Sequence, residues 1–212
     1  MEINKNDVLI AGLVEKVEYS NEIYGEIFHR CYVNIERTSG IIDTIPVNIS
    51  DKLANVGDLI GKFIKVTGHY RSYNKKDGEK TKLILYVFAN SVEILENPEN
   101  INEANIEGFV VKPVTYRKTP SGREISDIIL AVNRMYGKSD YIPCITWGRN
   151  AVFAERFQPG DKISITGRIQ SREYTKKIND EDVTFTAYEV SVNRLTKEES
   201  KEENADTEEN AE

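Results

Sequence analysis

The 212-residue sequence predicts an all-β protein made of two tandem five-stranded barrels and a disordered acidic C-terminal tail. Apolar and polar residues alternate, so that Ile163, Ile165 and Ile169 share one side of a strand whose other side is polar. The sequence also repeats itself with a period of about 100 residues. Turn-forming segments such as 158–161 (Gln-Pro-Gly-Asp) separate the alternating stretches.

The internal repeat sets the domain organisation. Its matched pairs are Gly12 with Gly108, Gly25 with Gly122, Arg37 with Arg134, 45–47 (IPV) with 142–144 (IPC), 64–68 (IKVTG) with 163–167 (ISITG), and 91–95 (SVEIL) with 191–195 (SVNRL). Because these matches keep their order along the chain, we infer a duplication. The predicted domains are residues 1–95 and 106–195, joined by a linker at 96–105 and followed by the tail at 196–212.

Each copy is predicted to hold five strands and one short helix. The strands are expected near 7–18, 27–37, 41–48, 61–72 and 82–95 in the first copy, and near 104–112, 124–136, 141–147, 161–174 and 183–195 in the second. The helix falls between the third and fourth strands, at about 149–157 in the second copy, where Phe153 and Phe157 share a face. In the first copy Ser50 can cap a single turn. Five strands closing as a Greek-key barrel around such a helix form the OB-fold pattern.

Pro143 lies inside the predicted third strand of the second copy. Proline cannot donate to a strand ladder, so this strand should be at an edge or an opening of the barrel there.

Charge is distributed unevenly along the chain. The net charge is −7, yet residues 106–195 carry +3, against −1 for 1–95, −3 for 96–105 and −6 for 196–212. The acidity therefore lies in the linker and the tail, and eight of the eleven arginines lie in the second copy. The tail is too polar to bury much apolar surface, so we expect it to be disordered.

Several function classes find no support in the residues. The sequence has no apolar run of membrane-spanning length and no signal-peptide pattern, so we expect a cytoplasmic protein. Cys31 and Cys144 are expected to be buried free thiols, and with His29 and His69 as the only histidines a zinc site is not expected. No catalytic set or phosphate loop is found, so neither an enzymatic activity nor a cofactor is predicted.

Aromatic and basic residues of the second copy are the candidate nucleic-acid-binding residues. Tyr141 and Trp147 are six residues apart on one strand and share a face, opposite Ile142, Cys144 and Thr146. The candidates for base stacking are Trp147, Tyr141, Tyr174 and Tyr136, for which packing in a core or an interface is the alternative. The candidates for phosphate contacts are Arg117, Arg123, Arg134, Arg149, Arg168 and Arg172, for which a solvated face is the alternative.

The first copy has one comparable stretch, at residues 70–78. Its candidates are Arg71, Tyr73, Lys75 and Lys76, which lead into an Asp-Gly turn between the fourth and fifth strands. OB-folds use this loop to bind oligonucleotides, but a hairpin whose lysines serve solubility is an equal alternative.

The second copy resembles the bacterial single-stranded DNA-binding protein family. The resemblance rests on 112–113 (KP), Arg117, 119–123 (TPSGR), 130–134 (LAVNR), 143–144 (PC), 147–149 (WGR), Ala151, Gly160, 167–168 (GR), 171–172 (SR) and Tyr174. The first copy is similar only in its skeleton, since it lacks the TPSGR, AVNR and WGR segments. Residues 106–195 are therefore expected to hold most of the affinity.

The resemblance implies a function and a set of partners. It implies non-catalytic, largely sequence-independent binding of single-stranded DNA in replication, recombination or repair, in a bacterial or phage protein associated with the nucleoid. It also implies a homo-oligomer, with two chains supplying four OB domains. Replication and repair proteins are the implied partners of the acidic tail, although this tail lacks the family's apolar tip. An OB-fold replisome or primosome adaptor that dimerises through its first domain, or an RNA-binding OB protein, is the alternative.

Overall fold

A computed structural model describes residues 3–78, 80–178 and 181–198 of the chain. The strands are β1 (Asn6–Ile23), β2 (Glu26–Glu36), β3 (Ile42–Ser50), β4 (Phe63–Asp77), β5 (Lys80–Ile94), β6 (Ile101–Val110), β7 (Thr115–Lys118), β8 (Glu124–Arg134), β9 (Lys138–Trp147), β10 (Lys162–Ile178) and β11 (Glu181–Lys197). Helix α1 spans Arg149–Ala154, and two short 3-10 helices span Val56–Leu59 and Met135–Gly137. None of the described helices is long and apolar enough to cross a bilayer.

The described strands close into two rings. In the first barrel β1, β2, β3, β5 and β4 pair in that order, and β4 returns to β1. In the second barrel β6, β8, β9, β11 and β10 pair in the same order and β10 returns to β6, while β7 extends the sheet beside β8. Only the β3–β5 and β9–β11 pairs are parallel. The prediction of an all-β chain with a closed barrel is thus confirmed.

Equivalent glycines show why the two barrels share one geometry. A Cβ atom at Gly68 would lie 2.2 Å from the carbonyl oxygen of Phe88, and one at Gly167 would lie 2.3 Å from that of Ser191. Both glycines sit where the pairing of β4 with β5, or of β10 with β11, shifts register. Only a residue without a side chain lets the two backbones approach so closely at the bend.

Several predicted boundaries differ from the observed ones. Residues 101–105 are not linker, because β6 begins at Ile101 and pairs with β1 from Asn6 to Ala11. The β10–β11 hairpin is longer than predicted, because its two strands stay paired out to Ile178 and Glu181. Strand β11 also continues through Lys197, and the rest of the predicted tail, 199–212, lies outside the described residues.

The third strand of the second barrel opens at Pro143, as predicted. Strand β9 pairs with β8 along its whole length, and Pro143 faces Ile129 there. Its pairing with β11 is restricted to Cys144 and Ile145, directly after the proline.

Strands β1 and β6 join the barrels around an approximate twofold axis. They pair antiparallel, with Val8 opposite Ala104, so that one sheet runs through both barrels. Ser72 of β4 donates its backbone N–H to Asp140 of β9 over 2.8 Å. Ser171 of β10 donates its own to Asp43 of β3 over 2.9 Å. The same contact is thus made twice between the barrels.

Arginines complete the two aspartate sites. The Asp43 side chain is 1% exposed, and its carboxylate oxygens lie 2.5 Å from the Arg37 guanidinium and 3.3 Å from the Arg168 guanidinium. The Asp140 side chain is fully buried and receives Arg71 at 3.0 Å and Arg134 at 3.6 Å. A buried carboxylate is tolerated only when cations and hydrogen bonds satisfy it, and here both requirements are met.

Replacing Asp140 by Ala should lower the free energy of unfolding by about 2–4 kcal/mol, because it leaves two arginines facing each other across the barrel interface. Their partial contact with water keeps the loss below that of a fully buried pair. Urea unfolding measures it, and Asp51→Ala, at an exposed position, is the control, with a change of less than about 0.5 kcal/mol. Equal stabilities of the two variants would show that the site does not hold the barrels together.

Both cysteines are free and buried in the core, as predicted. Burial raises the pKa of the Cys31 thiol to about 12. Burial, with a smaller contribution from Glu189, raises the pKa of the Cys144 thiol far above its usual range.

Neither thiol should react with iodoacetamide at pH 8 while the chain is folded, because the reactive thiolate is absent and the sulfur is covered. Mass spectrometry should find two modifications per chain after guanidinium unfolding and none before. Rapid labelling of either cysteine in native buffer would contradict the described core.

Candidate nucleic-acid interface

The outer face of the second barrel is formed by the side of β8 and β9 that points away from the core. Tyr141 and Trp147 lie on it, with exposed fractions of 43% and 39%. Ile142, Cys144 and Thr146 point the other way and are buried. The predicted division of this strand into two faces is therefore confirmed.

The neighbours of Trp147 come from two further strands. It pairs with Ile125 of β8, which in turn pairs with Arg117 of the edge strand β7. Arg117 forms an exposed ion pair with Asp127, with Nε and Oδ2 3.0 Å apart. Such a pair contributes little to stability, so the Arg117 guanidinium can exchange this partner for another anion.

Two further predicted arginines flank the same end of the face. Arg123 follows the tight β7–β8 turn, where Gly122 adopts a φ of 79° and the Thr119 hydroxyl accepts the Arg123 backbone N–H over 3.0 Å. Arg149 begins α1, directly after Trp147 and Gly148. Both arginines are exposed, and within the described residues neither forms an ion pair. They are available cations beside an exposed indole.

Tyr174 lies on the arm formed by β10 and β11. Its ring stacks on Phe185, with centroids 5.7 Å apart and planes 26° apart. Arg172 and Lys176 lie over the Tyr174 ring at 5.8 and 5.4 Å. The structure thus brings the two candidates Tyr174 and Arg172 together, and it adds Phe185, which the sequence reasoning missed.

Tyr136 lies apart from this group, in the turn between β8 and β9. It is 90% exposed and has a φ of 62°, in the left-handed region that non-glycine residues rarely adopt. An exposed ring held in an unfavourable backbone conformation is typical of a functional position, so its stacking role stays a prediction.

Three predicted nucleic-acid-binding arginines have a buried carboxylate as their partner. Arg71 and Arg134 bind Asp140, and Arg168 binds Asp43, at the contacts between the barrels. Burial lowers the pKa of the Arg168 guanidinium, as does the nearby Arg37. Because these guanidiniums are held by buried carboxylates, they are less available to phosphate than Arg123 and Arg149.

The predicted stretch of the first barrel is part of a strand rather than a loop. Arg71, Tyr73, Lys75 and Lys76 all lie on β4, which continues to Asp77 and turns through Gly78. Tyr73 is 44% exposed, and both lysines are exposed.

Sequence reasoning missed an arginine and an aromatic ring on the first barrel. The Arg30 guanidinium lies 4.9 Å from the centroid of the Tyr86 ring. The signal available in the sequence is alternation, which puts Arg30 and Tyr32 on one side of a strand. Only the strand pairing brings Tyr86 of β5 to this side of the barrel.

Comparisons with known proteins find relatives of the second barrel. A model described as the single-strand binding protein family matches residues 101–207. Single-stranded DNA-binding protein B of Bacillus subtilis is 30% identical over 96 residues, 42% of this chain and 82% of that protein. Single-stranded DNA-binding protein A of the same organism is 32% identical over 81 residues, 35% of this chain and 47% of that protein. The chain thus spans about half the length of the latter relative.

A solved structure extends the likeness to both barrels. The wild-type single-stranded DNA binding protein from Thermus aquaticus aligns with a TM-score of 0.71 at 22% identity, over 94% of this chain and 95% of that one. At this identity the likeness concerns the fold. Nothing in these comparisons indicates an enzymatic activity.

Proposed function

Because the chain belongs to the single-strand binding protein family, we propose that it binds single-stranded DNA without catalysing a reaction. The two barrels act as tandem OB domains, and binding is largely independent of sequence. Its setting is the DNA exposed during replication, recombination or repair in the cytoplasm.

The observation that carries this proposal is the pairing of exposed aromatics with available cations on the second barrel. Trp147 and Tyr141 offer ring faces, and Arg123 and Arg149 offer guanidiniums that no described carboxylate neutralises. Every base has a π-face and every nucleotide a phosphate, so this combination binds a single strand whatever its sequence.

The β10–β11 arm supplies a second stacking position. The Tyr174 and Phe185 rings already stack on each other, and Arg172 and Lys176 lie over Tyr174. A base stacked on this pair would have two cations close to its phosphate, where Coulomb attraction is strongest. Arg172 is only weakly held by Glu189, at 3.9 Å.

Titration with oligo(dT) tests the proposal through Trp147, the only tryptophan in the chain. A base stacked on the indole should quench most of its emission. Trp147→Ala should weaken binding by about 1–3 kcal/mol, the range for one stacked base. The matched control is Tyr24→Ala, which removes a fully exposed ring from the β1–β2 turn of the first barrel.

Unchanged emission together with undiminished affinity of Trp147→Ala would remove the second barrel's outer face from the proposed function. Competition between poly(dT) and poly(U) separates a DNA-binding from an RNA-binding protein. Preference for poly(U) would contradict the assignment to DNA.

The proposal includes assembly of two chains into a particle with four barrels. One chain already joins two barrels through β1 and β6, so a dimer is the smallest assembly that reaches four. Sedimentation equilibrium should give twice the mass of the chain, independent of loading concentration. A monomeric mass would contradict the four-barrel assembly and leave DNA binding by each chain untouched.

A further inference from the structure

The first barrel has an arginine-aromatic cluster on its own outer face. The Arg30 guanidinium lies over the Tyr86 ring, and its Nε donates to Asn48 Oδ1 over 2.6 Å. The Tyr73 ring meets Tyr86 edge-on, with centroids 5.9 Å apart and planes 69° apart. Four strands thus contribute to one surface, which lies outside the region that the family model matches.

A groove connects this cluster to the second barrel. A cavity of about 320 Å³ is lined by Ser20, Asn21, Arg30, Asn48, Ser72, Tyr73, Tyr86 and Arg134. A second cavity, of about 270 Å³, shares Ser72, Tyr73 and Arg134 with it and extends to Tyr141. Because the two cavities share a wall, they form one path, which we call the crossing groove. It runs from the outer face of the second barrel to the Arg30–Tyr86 cluster of the first.

The charges along the crossing groove suit an anionic chain. None of the described residues that line its two cavities is acidic. Asp140 lies buried beneath it, and this one carboxylate is shared by two guanidiniums, those of Arg71 and Arg134. One positive charge therefore remains under the groove. Two further cations add positive charge. Arg30 contacts an amide oxygen and a ring, neither of which is charged, and Lys138 is exposed.

The shape of the groove favours a flexible strand over a folded partner. An exposed ring, Tyr141 at 43%, lies at its second-barrel end, a second, Tyr73 at 44%, lies where the two cavities meet, and Tyr86 lies at its first-barrel end, with cationic and hydroxyl groups along the path. Alternating ring faces and cations match the alternating bases and phosphates of an unpaired polynucleotide. The guanidinium already stacked on Tyr86 shows that this ring accepts a planar cation, and Arg30 in turn can offer its plane to a base.

We propose that one DNA strand crosses from the second barrel to the first within a single chain, through the crossing groove, and that bases stack there on Tyr73 and Arg30. This inference rests on the proposed function. It assigns to the first barrel a stacking site that its sequence, lacking the family's motifs, does not reveal. The ion pairs of Arg71 and Arg134 then hold the floor of the path in place.

Oligo(dT) of two lengths tests the crossing in the full-length protein. An oligonucleotide of about 8 residues fits one barrel, and one of about 35 residues reaches both, given site sizes of about 4–16 nucleotides per OB-fold. Tyr73→Ala and Arg30→Gln remove the proposed stacking groups. Tyr19→Ala is the control, because Tyr19 is 65% exposed but pairs with His29, and so lies on the opposite side of the sheet from Arg30.

For the long oligonucleotide, both variants should bind about 5- to 150-fold more weakly than wild type, as the loss of a stacked base implies, and fewer nucleotides should be bound per chain at saturation. For the short one, quenching of Trp147 should follow the wild-type curve within about twofold. The Tyr19→Ala control should match wild type at both lengths. Thermal melts measure whether Arg30→Gln is as stable as wild type. If it is not, Tyr73→Ala still decides the test, because it removes only an exposed ring.

Unchanged affinity and saturation of Tyr73→Ala with the long oligonucleotide would overturn the crossing groove while leaving the proposed function intact. An equal loss at both lengths would also overturn it, because the effect would then act through the second barrel. Failure of the wild-type protein to bind either oligonucleotide would instead overturn the proposed function itself.

Discussion

The relation between the two barrels depends on two buried carboxylates, Asp43 and Asp140. Each accepts the backbone N–H of a serine on the other barrel and binds arginines from both barrels. A charge removed from water requires such complete satisfaction, so these contacts allow little sliding of one barrel over the other. With the antiparallel pairing of β1 and β6, they fix which outer faces are neighbours. The proximity of Tyr141 to Tyr73 follows from them.

The duplicated scaffold carries different aromatic residues on its two outer faces. By the repeat, Trp147 of β9 corresponds to Ser50 of β3, so the first barrel has no ring at that position. Ala89 and Val192 lie opposite the equivalent glycines Gly68 and Gly167, so Tyr86 of β5 corresponds to Glu189 of β11. The predicted match of 91–95 with 191–195 is therefore displaced by three residues from the match that the strand pairing gives. The first barrel therefore has no counterpart of Trp147, and its own rings, Tyr73 and Tyr86, lie at non-equivalent positions on β4 and β5, the strands that correspond to the β10–β11 arm. A search for the same motif in both copies cannot find them, although the backbone geometry is shared.

The alternation of apolar and polar residues predicted most of the fold, but it could not predict which carboxylates the arginines bind. Alternation placed Tyr141 and Trp147 on one face and Cys144 on the other, because the side-chain period of a strand depends on the strand alone. Arg134 and Arg149 look alike in sequence, yet one is held by a buried aspartate and the other is exposed without a described carboxylate partner. The aspartate that binds Arg71 is 69 residues away in the chain, and only the pairing of the barrels brings it close. The start of β6 was missed for a related reason, since its partner is β1 of the other barrel.

The scaffold is close to symmetric at the aspartates, but the surfaces above them are not. On the Asp140 side the groove is lined by Tyr141 and Tyr73. On the Asp43 side the equivalent positions, by the repeat, are Thr44 and Arg172, which offer no pair of rings. Between the two aspartate sites, a strand that needs ring faces therefore finds them above Asp140 and not above Asp43. The duplication supplies a serine N–H and one equivalent arginine, Arg37 or Arg134, at each aspartate. The aromatic side chains above Asp140 have no counterpart above Asp43, so the duplicated support carries a path between the barrels on one side.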